Sequence, residues 1–401
     1  MIHPEIPRKF TPLIEQARQV AREVFRPISR HYDRAEHAYP KELDVLSALI
    51  DGMNAGSGGV AGAGTLKKTA GDDGTVRNGG NLATVLSIEE LCWGDVGLLL
   101  SLPRQGLGNA AMAAVATEEQ LERFKGRWVA MAITEPGAGS DSAAIRTTAV
   151  ADGDDFVLNG EKIFVTAGER ADALVVWATL DRSAGRAAIK SFLVEKDRPG
   201  ITLTRLEHKL GIRSSDTAAF TLSDCRVPKE NLLGSAEIDT KKSFAGVMAT
   251  FDNTRPTVAA MAIGLARAAR ERALELLQAR GMAPDPAADP LELPSAAARY
   301  LEHEADWEAA RLLTLEAAWM ADNGQPNALQ ASMAKAKAGR MVVAMTQFCL
   351  ELAGIDGYGE DELIEKWARD AKILDIFEGT QQIQLLVVAR RLLGKGSAEL
   401  K

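Results

Sequence analysis

The hydrophobic period of this 401-residue chain changes twice, and few architectures accommodate such a change. From about Phe10 to Phe124 apolar residues recur at helical spacing, as at Leu13, Ala17, Val20 and Val24 and again at Leu43, Leu46 and Leu49-Ile50. From about Trp128 to Leu233 the repeat shortens to that of strands, in Trp128 to Ile133, Leu174 to Ala178, Ile189 to Val194 and Ala218 to Leu222. Inside this region Phe156-Val157-Leu158 and Glu161 to Val165 flank Asn159-Gly160, which predicts a hairpin closed by a two-residue turn. From about Lys241 the helical period returns, with long helices expected over Ala259 to Arg280 and Leu301 to Asp322 and breaks at Pro326 and in the Gly354–Gly359 cluster.

Helices, then strands, then helices, with none interleaved among the strands, disfavours a Rossmann sheet. The pattern predicts an α+β chain: an N-terminal helical domain over 1–125, a middle β-barrel or sandwich over 126–235 and a C-terminal helical bundle over 236–401. Asp51 to Asn81 is dense in glycine, yet it holds neither G-x-x-x-x-G-K-[ST] nor a strand leading into G-x-G-x-x-G. It predicts a long loop rather than a phosphate cradle. A net charge of −8 gives nucleic acid no general attraction. Cys92, Cys225 and Cys349 are far apart, and His3, His31, His37, His208 and His303 show no metal-ligand spacing, so neither a disulfide framework nor a metal site is expected. The N-terminus lacks the apolar core of a signal peptide and no apolar run suggests a membrane span, which points to a cytoplasmic protein.

Three stretches carry candidate chemistry. In Thr134-Glu135-Pro136-Gly137-Ala138-Gly139-Ser140-Asp141 a strand runs into a glycine- and proline-bent loop. Such a loop bares amides and hydroxyls for an anion or a polar cofactor edge, and a plain surface turn reads equally well. In Phe251-Asp252-Asn253-Thr254-Arg255-Pro256 the proline starts or bends a helix, and Arg255 is either a ligand's counter-charge or, as spacing alone favours, a solvated helix charge. In Ile373 to Gln382, a charged helix gives way to Glu378 and Gly379, after which Thr380 is suited to cap a helix over Gln384 to Leu393. A carboxylate set beside Ile376 and Phe377 in such a joint is a general base if burial raises its pKa, and otherwise an exposed helix end.

Taken in this order and spacing, the three stretches resemble the acyl-CoA dehydrogenase family over roughly Glu118 to Gly394, with a looser match before that. The resemblance implies a C-terminal four-helix bundle, an FAD cofactor held between it and the β domain, and conversion of an acyl-CoA to the trans-2-enoyl-CoA. Glu378 would take the α proton while a hydride leaves Cβ for flavin N5. The family's alternative base position, immediately before Arg255, holds Thr254, which cannot act as a base. Met131, Ile133, Thr134, Gly139 and Ser140 would run along the flavin, with Ser140 near phosphates of FAD or CoA. Phe164 and Thr166 would cover and bond the isoalloxazine, and Thr380, Gln381 and Gln382 would touch FAD. Asp252 and Arg255 would contact CoA, and Gly379 would admit the thioester, whose carbonyl takes a bond from the Glu378 N–H. Electron-transfer flavoprotein is the implied acceptor and a homodimer or homotetramer the implied assembly.

Two segments depart from the family's pattern. Arg280-Gly281-Met282 stands where relatives have Arg-x-x-Phe-Gly, and Glu351 to Ile355 stands for Gln-x-x-Gly-Gly. Both serve the adenine half of FAD across a subunit interface, so a mixed tetramer remains a reading beside the homo-oligomer. An oxidase, or an enzyme of another acyl carrier, is the other reading on the same fold. Leu98 to Gly108 and Ala259 to Gly264 are the expected walls of the acyl pocket, the small residues of the latter leaving room for a long or branched tail.

Overall fold

A computed structural model describes residues 6–47, 79–103, 107–238, 245–289, 291–396 and 399, with side chains from Thr254 onward in the segment that starts at 245. Helix α1 (Thr11–Val20) passes through a wider π-type turn (Ala21–Phe25) into α2 (Arg26–Arg34). Its buried stripe is Ile14, Ala17, Ala21 and Phe25, while Leu13 is exposed. The core face thus lies one position on from the expected one. Residues 42–47 are helical and bury Leu43 and Leu46; Leu49-Ile50 lies outside the described residues.

Most of the glycine-rich stretch, 48–78, also lies outside them. Its last residues do not belong to a loop. Gly80 and Asn81 open α3 (Gly80–Gly94), and the backbone N–H groups of Gly79, Asn81 and Leu82 all donate to the Asp322 carboxylate at 2.9–3.0 Å. An acid from a distant helix thereby caps the start of α3. Helices α4 (Val96–Ser101), α5 (Leu107–Val115) and α6 (Glu118–Arg123) follow. Asp95 caps α4 through the Leu98 N–H, and a Thr117–Gln120 capping box starts α6.

The middle region is a seven-stranded sheet of β1 (Val129–Ala132), β2 (Thr148–Asp152), β3 (Asp155–Thr166), β4 (Ala173–Thr179), β5 (Ile189–Glu195), β6 (Ile201–Leu206) and β7 (Thr217–Pro228). Its order is β1-β4-β2-β3-β7-β6, with β5 antiparallel on β4. Every residue of β4 is buried, because alternate side chains enter two clusters. Leu174, Val176 and Ala178 join Phe192 and Phe220 on one face, and Val175 and Trp177 join Ala111 and Met112 of α5 on the other. The expected hairpin turn at Asn159-Gly160 is not there. Residues 155–166 form one strand, and the turn falls at Gly153 (φ 60°) between paired Asp152 and Asp155. Asn159-Gly160 instead marks a bulge against β7, and a Cβ on Gly160 would lie 2.4 Å from Thr147 Oγ1. The glycine meets a close approach, not a reversal.

Helices α7 (Ala245–Ala279), α8 (Ser295–Asp322), α9 (Ala328–Ala353), α10 (Ile364–Leu374) and α11 (Gln381–Leu393) complete the fold. One apolar core runs through both helical regions, from Phe25, Leu43 and Val85 to Ile263, Trp307, Met345 and Leu374. The Ala259 to Gly264 segment is packed into that core, and a Cβ on Gly264 would sit 2.3 Å from the Glu89 carbonyl oxygen. Its small residues let α3 and α7 approach each other, against the expectation of a roomy pocket wall. On the other expected wall Leu98, Leu99 and Leu100 are buried, and residues 104–106 lie outside the described ones. Against the sequence expectation, Ala328–Tyr358 is long and apolar enough by length and composition to cross a membrane. Ala331, Ala334, Ala338, Met345 and Phe348 nonetheless place it as a bundle core helix.

The sheet is locked to the helix that leads into the candidate site. The Ile212 N–H donates to Asp370 Oδ1 at 2.6 Å, and the Arg369 guanidinium donates to the Leu210 carbonyl at 2.9 Å.

Candidate active site

Helix α10 ends at Leu374, and beyond Asp375 to Phe377 two successive residues are left-handed, Glu378 at φ 56° and Gly379 at φ 88°. The glycine adopts this freely; for the glutamate it costs about 1–2 kcal/mol. The φ of 88° favours glycine at the second position, and a Cβ there would also displace the Gln384 amide, 2.4 Å away, from its bonds to the turn. The carbonyls exposed by the turn are captured from outside it. Gln384 Nε2 donates to Glu378 O at 3.0 Å and Gly379 O at 3.2 Å, while Lys335 Nζ of α9 donates to Gly379 O at 2.8 Å. The Gln381 N–H reaches Asp375 O at 3.1 Å, and Thr380 caps α11 by accepting from the Ile383 N–H at 3.4 Å. The cap is the predicted one, with the helix beginning at Gln381 rather than Gln384.

The strained joint holds the Glu378 carboxylate against α7, where the buried Thr254 hydroxyl donates to Oε2 at 2.8 Å. Burial pushes the Glu378 carboxyl above the usual range, opposed by the Thr254 bond and by the charges of Arg255 and Lys335. Burial pushes the Lys335 ammonium down to about 8, against the attraction of Asp375 and Glu378. Arg255 is not the solvated helix charge its spacing favoured. It is 3% exposed, within 3.3 Å of Ser332 Oγ, and its field acts on Glu378. Thr254, set aside in sequence as unfit to be a base, instead donates to the carboxylate of the candidate base. The Phe251 and Asp252 side chains lie outside the described residues.

The β-domain candidates form a second group. Glu135 and Ala138 exchange backbone hydrogen bonds at 3.1 Å, which tightens the loop after β1 and leaves Gly137 and Gly139 facing open space, with Ser140 exposed. Thr134 is half-buried and its carbonyl accepts the Ile163 N–H at 2.9 Å. Met131 is half-buried and Ile133 buried. Phe164 is 60% exposed at φ 57°, at an irregularity in β3 between Lys162 and Val165. A bulky aromatic held outward on strained backbone has no packing reason to be there, and its neighbour Thr166 is half-buried beside it. An exposed aromatic ring on a strand that also carries a half-buried threonine suits contact with a planar ring system. The loop also contains an anchor missed in sequence. Glu135 accepts from the Arg146 and Thr147 N–H groups and from Lys162 Nζ, at 2.6–2.9 Å. Burial raises its carboxyl, but Lys162 and Thr147 outweigh burial and hold it below its ordinary value.

Where the adenine half of the cofactor would lie, Arg280 is exposed at the end of α7, followed by Gly281 at φ 69°. Glu351 is ion-paired to Arg299 at 2.8 Å, so its charge is answered within the chain. Gln382 is exposed, Gln381 half-buried. The structure therefore brings Glu378, Gly379, Arg255 and Thr380 to one joint, adds Thr254, Lys335 and Gln384 to it, and ties the loop after β1 to β3 through the Ile163 N–H and the Thr134 carbonyl.

Residues 130–225 match the family model of the acyl-CoA dehydrogenase middle domain, and residues 244–393 that of its C-terminal domain. The chain is 37% identical to the mitochondrial short-chain specific acyl-CoA dehydrogenase of Bos taurus over 78% of its own length and 76% of the relative's. It is 33% identical to acryloyl-CoA reductase (NADH) of Anaerotignum propionicum over 94% of this chain and 92% of that one. Among solved structures, butyryl-CoA dehydrogenase from Megasphaera elsdenii superposes with a TM-score of 0.83 at 30% identity, covering 98% of this chain and 100% of its own.

Proposed function

The chain belongs to the acyl-CoA dehydrogenase family and is an acyl-CoA dehydrogenase, and from that premise we propose that it desaturates a short-chain acyl-CoA with Glu378 as the base. The observation that carries this reading is the Glu378 joint: a carboxylate with a raised pKa, fixed in a left-handed turn by Thr254, Gln384 and Lys335. A base has to be ionised at working pH and yet eager for a proton, and burial tempered by two nearby cations gives that balance. Glu378 accepts the α proton at its carboxylate. The Glu378 N–H donates to the thioester carbonyl, stabilising the charge that develops on its oxygen. FAD, when bound, supplies the acceptor for the hydride leaving Cβ.

The family is FAD-dependent, and the residues present suit that cofactor. Phe164 would cover the ring, and Thr134, Thr166 and the open backbone about Gly139 and Ser140 would meet its polar edge. Thr380, Gln381 and Gln382 would complete the contact, with Arg280 toward the pyrophosphate. Arg255 balances charge at the base, and Asp252 remains the candidate for CoA. A short acyl chain is supported by the names of the similar proteins and by the filled Ala259 to Gly264 segment. Three buried, unpaired cysteines support the cytoplasm.

The test is a graded series of acyl-CoAs with a dye acceptor, then with electron-transfer flavoprotein and with oxygen. The expected optimum in kcat/KM is near four carbons, with turnover on the flavoprotein and little peroxide. An optimum at long or branched chains would overturn the chain-length assignment, and peroxide as the main product would make the enzyme an oxidase. One FAD per chain in a pure homo-oligomer is expected; a clear shortfall would point to a second kind of subunit.

A further inference from the structure

Glu36, His37 and His208 are scattered in sequence, but the fold places their potential ligand atoms within 4.8 Å of one another. Glu36 and His37 follow the end of α2, and His208 follows β6, so the cluster spans the seam between the N-terminal helices and the sheet. It is apart from the Glu378 joint and plays no part in the proposed reaction.

Three features distinguish it from an incidental surface group. His37 holds a left-handed backbone, φ 70°, which a histidine adopts at some cost and which turns its side chain toward the sheet's His208; the two rings lie 5.2 Å apart. Both ring nitrogens of His37 are shielded from solvent and neither has a hydrogen-bond partner, a costly state for an imidazole. The Glu36 carboxylate is already fixed, Oε1 by the Lys209 N–H at 2.8 Å and Oε2 by His208 Nδ1 at 2.9 Å. The Glu36 Oε2–His208 Nδ1 contact already sets a carboxylate oxygen beside an imidazole nitrogen, and an ion taken up there would replace the proton they share.

We propose that Glu36, His37 and His208 bind a zinc-class divalent transition ion that pins the end of α2 to the β domain. Two imidazoles and one carboxylate suit zinc and its late first-row neighbours, whereas magnesium and calcium prefer oxygen donors alone. Metal–ligand bonds near 2.0–2.1 Å put ligands of a tetrahedral ion about 3.4 Å apart. The cluster is therefore open by roughly an ångström or more, and the His208 side chain, 86% exposed, is the one free to close it. Water would fill the remaining position. The Lys209 ammonium, whose charge acts on Glu36 and His37, is bonded to the Ser215 carbonyl at 2.6 Å.

The experiment is zinc titration of the flavin-loaded protein after chelator treatment, followed by calorimetry and by the unfolding midpoint with and without zinc. Wild type is expected to bind one equivalent saturably at micromolar concentration and to melt higher with the ion. His208→Ala and His37→Asn should each weaken that binding at least tenfold and abolish the melting shift. Asparagine tolerates the left-handed backbone at 37, and His208 is exposed, so both variants should fold; unchanged flavin content and metal-free melting would confirm this. Absence of saturable binding, or binding unchanged in both variants, would overturn the proposal.

Discussion

Lys366 on α10 and Lys335 on α9 are both buried near carboxylates, but their surroundings hold the two charges with different firmness. Lys366 Nζ lies 2.7 Å from Asp95 and 2.5 Å from Asp370. Burial works against its charge, yet the two acids outweigh burial and hold the ammonium above its usual value. The partners are themselves occupied: Asp95 accepts from Ser29 and from the Leu98 N–H, and Asp370 from the Ile212 N–H. This triad joins the N-terminal helices, the sheet and the C-terminal bundle. At the Glu378 joint the ammonium of Lys335 is spent on a carbonyl, Gly379 O, and only its field reaches the carboxylate. Lys335 sits near 8 and Glu378 above its ordinary value, so a change of protonation there is cheap. A buried charge paired with fully committed partners is structural; one whose partners leave it short of compensation is available for chemistry.

The largest break of this comparison is Glu378→Gln, which keeps the shape of the joint and removes the proton acceptor. Turnover should fall about 10²–10⁴-fold while the flavin spectrum and melting point hold. Full activity would remove Glu378 from the chemistry. Lys366→Met should do the reverse. Stripping the cation from two buried acids costs about 3–5 kcal/mol of stability. The molecules that remain folded and yellow should turn over near the wild-type rate, as measured by denaturant melts beside specific activity per bound flavin. A Lys366→Met protein of ordinary stability would show that the triad is not what ties the three regions together.

What was legible in the sequence followed from how local each signal is. Gly379 and Thr380 stand out because a left-handed turn and an N-cap each need particular residue types within a few positions. Glu378 was left between base and helix end by spacing, and the matching motifs elsewhere in the chain decided it. Lys335 and Gln384 were illegible. Lys335 lies on a nearly all-buried helix face 44 residues from the carbonyl it bonds, and nothing in its neighbours announces that partner. Glu135 and Lys162 meet only because β1 and β3 converge. The misplaced hairpin has the same origin. Asn159-Gly160 and Asp152-Gly153 are comparable turn signals, and what Gly160 does instead, admitting Thr147 just before β2, is a contact that the local sequence does not announce. Strands β2 and β6 are short and mostly exposed, with Val150 and Leu203 facing outward, so neither shows the buried apolar run by which the other strands are read.

Within the joint, two substitutions separate the field on Glu378 from its placement. Lys335→Met removes the bond to Gly379 O together with the cation, and a displaced joint should cost about 10²-fold in kcat. Loss of a nearby positive charge also raises the Glu378 pKa, so the acid limb of kcat/KM should move to higher pH. Wild type should lose activity on the alkaline side as Lys335 loses its proton near pH 8, and the variant should lack that limb. A pH profile of unchanged shape would reduce Lys335 to a structural prop.

Thr254→Val is the finest cut, since it removes one hydrogen bond to the ionised carboxylate and leaves the shape of α7 intact. A bond to a charged group contributes about 1.5–3 kcal/mol, and each pH unit corresponds to about 1.4 kcal/mol. The sign follows from which form the hydroxyl favours: it stabilises the carboxylate, so its loss raises the pKa and moves the acid limb upward by about one to two units. Well above that limb Glu378 is ionised in both proteins, and kcat should recover to within about tenfold of wild type. Below it the deficit should widen as the pH falls and then level off at the factor set by the difference in pKa, and Thr254→Ser should restore the original profile. A deficit of the same size at every pH would mean that Thr254 holds the carboxylate in place without setting its affinity for the proton, and the contrast with Lys366 would then rest on Lys335 alone.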